Sequence, residues 1–71
     1  MNIKKIKECS HELWKLISGT NRKWNINELK AATGFPTNYL MASIGWLASQ
    51  NKIQMEEKTG RYYNVLNYYI G

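Results

Sequence analysis

Helical periodicity opens the chain. Ile3, Ile6, Ser10, Leu13 and Ile17 recur on one face of residues 3–18, with Cys9, Trp14 and Leu16 at its edges. Lys4, Lys5, Glu8, Glu12 and Lys15 fall on the opposite face, where mixed charges give weak surface pairs. The pattern predicts helix 1, capped by Asn2 and stopped at Gly19. Thr20 to Lys23 reads as a polar loop, and Trp24 to Ile26 as a short extended segment. Asn27 is the expected N-cap of helix 2, which runs from Glu28 to about Thr33 with Leu29 and Ala32 facing inward. Glu28 meets the positive end of that helix dipole, and Ile26 with Ala31 forms a small hydrophobic staple across the cap.

Residues 34–51, GFPTNYLMASIGWLASQN, read as a turn followed by helix 3. Gly34 can adopt a left-handed conformation and end helix 2. Pro36 pushes Phe35 into an extended conformation, and Thr37 is the expected N-cap. Leu40, Ile44, Leu47 and Asn51 then share one helical face.

After helix 3 the period changes to two. Ile53 and Met55 alternate with Gln54 and Glu56, and Lys58-Thr59-Gly60 is turn material, with Gly60 able to supply positive φ. Residues from Arg61 read as a return strand ending near Leu66. Tyr63 and Val65 share one face, and Tyr62, Asn64 and Leu66 the other. A one-residue slip exchanges the two faces, so the pattern leaves the inward one open. Asn67 to Gly71 hold two Tyr and an Ile, which predicts a tail packed back on the domain.

The element order is therefore α, short β, α, α, β, β. Two adjacent helices joined by a short turn and followed by a hairpin make a winged helix-turn-helix. The expected fold is mainly α with a small antiparallel β-sheet (α+β): three helices plus a β-hairpin wing, in one domain over residues 1–71. The 71 residues, 44% of them hydrophobic, supply one small core without a separate cofactor cleft. Ten Lys or Arg stand against five Glu and no Asp, for a net charge of +5. That balance is compatible with nucleic acid but also ordinary for a well-solvated surface. The single cysteine excludes an internal disulfide and fits a reducing cytoplasm, the expected location. Neither a signal peptide nor a membrane-spanning run is legible.

The segment ELKAATGFPTNYLMASIGWLASQNKIQMEE resembles a family of small stand-alone bacterial winged helix-turn-helix domains, of about this length and of largely uncharacterised function. Glu28-Leu29-Lys30, Gly34, Gly45-Trp46-Leu47 and Lys52-Ile53 carry the resemblance, and Trp14 fits it. It covers nearly the whole chain. It implies the fold and, by analogy, a DNA-related role.

The residues argue against an enzyme. Cys9 and His11 lie two apart on a helix and point in separate directions. One His, one Cys and no Asp make neither a catalytic triad nor a usual zinc site. Glu56 and Glu57 are strand neighbours that face opposite sides, so they cannot flank a scissile bond together. No catalytic residue, cofactor or metal is expected.

On DNA, the outward face of helix 3 is Asn38, Ala42, Gly45 and Ser49, flanked by Tyr39 and Trp46 on one side and Met41 on the other. It holds no charge, although Arg or Lys on guanine is the commonest specific base contact. Asn38 can read adenine and Ala42 can touch a thymine methyl. The cations sit elsewhere: Arg22 and Lys23 in the loop, Lys30 on helix 2, and Lys52, Lys58 and Arg61 around the wing. The expected nucleic-acid set is these six with Thr37, Asn38, Tyr39, Met41 and Ala42, a backbone-positioned binder of low sequence specificity.

Ala42, Gly45 and Ser49 also form a small-residue stripe beside Trp46. A mid-helix Gly costs about 1 kcal/mol relative to Ala, so it invites a reason. Close packing inside the monomer is one reason, and an interface at Ala42, Gly45, Trp46 and Ser49 is the other. Trp14, Trp24 and Trp46 are each expected in the core or at its edge. The expected partners are thus duplex DNA or, alternatively, a second copy or another protein docked on helix 3. No membrane and no small-molecule substrate is expected.

Overall fold

The structure is a computed structural model and describes residues 1–65. Asn2 starts α1 (Ile3–Ser18) by accepting the backbone N–H groups of Lys4 and Lys5 on its side chain. Gly19 ends it, donating its N–H to the Lys15 carbonyl at 3.0 Å. The other helices are α2 (Ile26–Thr33) and α3 (Thr37–Ser49). Gly34, at φ 76°, caps the C-terminus of α2 and turns the chain toward α3.

The core is drawn from every element. Cys9, Leu13 and Ile17 of α1 meet Leu29 of α2, Leu40, Ile44 and Leu47 of α3, and Trp24, Ile53 and Tyr62 from the wing side, none more than 8% exposed. One buried serine, Ser43, ties α3 to α1 at a carbonyl that Ser10 also uses within α1. Ser10 and Ser43 both donate to the Ile6 carbonyl, at 2.8 and 3.3 Å. The Cys9 thiol donates to the Tyr39 carbonyl at 3.7 Å, and the Asn2 N–H to the Tyr39 hydroxyl at 2.9 Å.

The wing is an antiparallel hairpin of β1 (Ile53–Met55) and β2 (Tyr62–Asn64), pairing Ile53 with Asn64, Gln54 with Tyr63 and Met55 with Tyr62. Gly60, at φ 69°, closes its turn by donating to the Glu56 carbonyl. This register answers the question left by the pattern: Tyr62 and Asn64 are buried, and Tyr63 is half-buried on the other face. Trp24 exchanges two backbone hydrogen bonds with Tyr62, at 2.7 and 2.8 Å, so the expected first strand is present as a single bridge.

Several expectations are corrected. The N-cap of α2 is Asn25, not Asn27. Its side chain accepts the Glu28 N–H, while the Glu28 carboxylate accepts the Asn25 N–H, forming a reciprocal capping box. The helix therefore begins at Ile26, and Ala32 faces solvent. This start places Trp24 and Leu29 at the staple positions, in place of Ile26 and Ala31. Thr37 is the first residue of α3 rather than its cap. Pro36 occupies the cap with no side-chain bond, and its carbonyl accepts the N–H groups of Tyr39 and Leu40.

Asn51 is not on the apolar face of α3. It follows the helix in a left-handed conformation, φ 59°. Its N–H donates to Ala48 and that of Lys52 to Leu47, a Schellman closure with Asn in the place Gly usually takes. Cys9 lies inside the core, not at its edge. Ile3, placed by periodicity on the apolar face of helix 1, is 71% exposed, and Met55 is 52% exposed although Ile53 two residues before it is buried. The return strand stops at Asn64, short of Leu66. Residues 67–71, expected to pack back, lie outside the described residues.

The capping box separates two neighbouring asparagines by experiment. Asn25→Ala removes a cap and should cost about 1 kcal/mol in urea unfolding, whereas Asn27→Ala, an exposed position, should cost less than about 0.5 kcal/mol. Equal losses would return the cap to the wrong asparagine.

Candidate functional site around helix α3

The helix-turn-helix pair is α2 and α3, joined by Gly34, Phe35 and Pro36. Leu40, Ser43, Ile44 and Leu47 face inward, so the opposite side of α3 is left to solvent. Thr37, Asn38, Met41, Gly45, Trp46 and Ser49 are exposed, and Ala42 is half-buried. Tyr39 is turned toward α1, where Lys5 lies 5.3 Å from its ring centre, and so is withdrawn from the outward face.

The basic residues divide into two groups. Arg22 donates to Glu28 at 2.6 Å and stacks on Trp24, 3.8 Å from the ring centre. Lys23 pairs with Glu56 and lies near the Tyr63 ring. The electrostatics of Arg61 reach both carboxylates. These three cations and two carboxylates bridge the start of α2 to the wing, so much of their charge is answered locally. Lys30 and Lys58 are exposed on α2 and the wing turn. Lys52 is half-buried with its ammonium 5.4 Å from the Trp14 ring centre. Arg22 and Lys23 are thus placed to hold the scaffold as well as any phosphate, which their sequence positions did not reveal. Glu28 and Glu56 are the residues that sequence reasoning missed; the Asn25–Glu28 spacing was the available signal for the first.

The backbone N–H of Asn25, and then Arg22, holds the Glu28 carboxyl below its ordinary value. Lys23, and then Thr59, does the same for Glu56. Burial pushes the Cys9 thiol up, only partly offset by the Ser43 hydroxyl. A buried thiol with a raised pKa is a poor nucleophile.

Trp46 is 53% exposed, contrary to the expectation of a core or core-edge role. A Cβ built on Gly45 meets nothing within 4 Å, so close packing inside the monomer does not explain this glycine. Ala42, Gly45, Trp46 and Ser49 instead form one wall of an open groove of about 440 Å³, whose other wall is α1. Ile3, Ile6, Lys7 and Ser10 supply that wall. The α3 half is legible as a small-residue stripe in the sequence, whereas the α1 half becomes visible only with the docking of the two helices.

A family model for a winged helix-turn-helix domain, DUF2582, matches residues 1–66. The chain belongs to this winged helix-turn-helix family. Comparison with curated proteins found no match, nor did comparison with solved structures. The winged helix-turn-helix fold fits a DNA-binding or regulatory role. No described helix is long and apolar enough to cross a membrane.

Two outcomes follow for this winged helix domain. Gly45→Ala places a methyl in open space within a helix and should stabilise the domain by about 0.5–1 kcal/mol in urea unfolding. A loss would mean that the glycine answers a constraint within the monomer. The depressed carboxylates set an acid dependence. As pH falls through the ordinary Glu value of 4.5, the unfolded chain takes up protons before the folded one. Stabilisation from these pairs is complete above that range and is lost as pH drops through the folded values. Tm should therefore fall between about pH 5 and pH 3, and fall less in the Glu28→Gln, Glu56→Gln double variant. An equal fall in both proteins would assign the acid sensitivity to other groups.

Proposed function

We propose that this is a non-enzymatic cytoplasmic winged helix domain that binds duplex DNA with low sequence specificity in a regulatory role. The observation that carries the reading is an exposed α3 face in a helix-turn-helix pair, beside cations on α2 and the wing. Thr37, Asn38, Met41 and Ala42 have the position to meet a groove, and Lys30, Lys52, Lys58 and Arg61 to meet phosphates. Without charge on α3, base readout rests on short contacts such as Asn38 to adenine, and affinity rests on the backbone. Arg22 and Lys23 contribute less, because Glu28 and Glu56 compete for them. The shielded Cys9 thiol supports the non-enzymatic part of the reading.

A second reading is favoured by the exposure of Trp46 beside an uncharged helix: a protein-interaction module that uses the outer side of α3.

Titration with duplex DNA at low salt tests the first reading. Amide signals of Thr37, Asn38, Lys52, Lys58 and Arg61 should shift. With four phosphate contacts, log K should fall against log salt with a slope of about −3 to −4. Lys30→Glu with Lys58→Glu should abolish binding at moderate salt, while Arg22→Gln should weaken it by less than about threefold. Absence of any shift at low salt would overturn the reading.

A further inference from the structure

The groove between α1 and α3 is apolar at its floor and cationic at its edge. Ile3 and Trp46, at 71% and 53% exposed, stand at its rims, and Ile6, Ala42 and Gly45 lie between them. Lys7 lines it directly. Beyond Lys7 and Ser10 the depression continues into a second hollow of about 180 Å³, which adds His11, Trp14, Gln50 and Lys52 to the walls. Among the described residues, no acidic side chain lines either part. The absence follows from chain geometry. α3 carries no charge of either sign, and at about 100° per residue Glu8 and Glu12 project from the far side of α1. Glu28 and Glu56 are engaged with Arg22 and Lys23 near the wing.

We propose that this groove docks an acidic amphipathic helix of another protein. Such a helix lays apolar side chains at i, i+3, i+4 and i+7 on the floor between Ile3 and Trp46, the usual mode of helix-in-groove recognition. Its Glu or Asp residues face Lys7 and Lys52. The α1 wall from Ile3 to Trp14 spans about three helical turns, which sets the length of the docked segment. Gly45 leaves open space where the partner backbone comes closest. Charge complementarity selects this occupant over a second copy of the chain, which would bring a matching cationic edge against Lys7 and Lys52 and carries a net charge of +5. Residues 66–71, LNYYIG, contain no Asp or Glu and do not supply the complement either. The inference rests on the protein-interaction reading above.

The probe is a synthetic helical peptide of about four turns with Leu at the anchor positions and Glu elsewhere, compared with its Lys-for-Glu counterpart. Both are titrated into the full chain and followed through the Gly45 and Ser49 amides and the Trp46 indole, with association state measured by light scattering. The Glu peptide should shift these signals and the Lys peptide should not. Lys7→Glu with Lys52→Glu should weaken binding about tenfold, and Trp46→Ala should also weaken it, with helix content unchanged by circular dichroism. Equal binding of both peptides overturns the acidic partner while leaving the interface reading in place. A dimer that buries Trp46 does the same, naming a second copy as occupant. A monomer whose groove signals respond to neither peptide overturns both.

Discussion

The seam between α1 and α3 is the contact on which the other elements depend. Leu40, Ile44 and Leu47 are the inward apolar residues of α3, and they share one core with Cys9, Leu13 and Ile17. Apolar contact alone would allow these helices to slide. Ser43 limits that sliding, because its buried hydroxyl donates across the seam to the Ile6 carbonyl. A buried hydroxyl without a partner would cost about 1–3 kcal/mol, so one axial register is favoured over its neighbours. Once α3 is seated, Gly34 places α2 at one end and the Asn51 closure aims β1 from the other.

That seam also determines which chemistry reaches the surface. A short helix with one face committed to the core shows its remaining faces to solvent, and on α3 those faces are uncharged. The positive charge lies on the surrounding elements, part of it held in the Arg22–Glu28 and Lys23–Glu56 pairs that join α2 to the wing. Such solvent-screened pairs contribute little to stability. A cation answered by a carboxylate releases fewer counterions on meeting a phosphate, so these pairs lower the share of the positive charge open to an anionic partner. The outward face of α3 and the groove beside α1 share Ala42, Gly45 and Ser49, and Lys52 borders both the wing and the groove.

Most of the architecture was legible where local chemistry is strong. Asn2 and Gly19 bound α1, Gly34 ends α2, and Gly60 turns the hairpin; Asn2 supplies a side-chain cap, and Gly34 and Gly60 take the positive φ that favours glycine. Errors arose where two local signals competed. Ile26 is β-branched and favours an extended reading that shifts the cap from Asn25 to Asn27, although Glu28 three residues after Asn25 carries the correct signal. Thr37 is a good cap in isolation, but Pro36 already has the extended ψ of 153° that a cap requires. The site was less legible than the fold. Its residues were placed on elements, but ion pairing of Arg22 and Lys23 depends on Glu28, six positions from Arg22, and on Glu56, 33 positions from Lys23.

By itself, the sequence determined the helices, the hairpin, their order and the uncharged character of α3, because caps, turn residues and hydrophobic period act over a few neighbouring residues. The tertiary structure decided which side of β2 faces the core, that Ile3 and Trp46 remain exposed, and that α1 completes a groove beside Gly45. These are consequences of where the core ends. Periodicity marks an apolar face along the whole length of a helix, but burial stops where the neighbouring element stops. Only the docking of α1 on α3 shows which apolar residues lie beyond that limit.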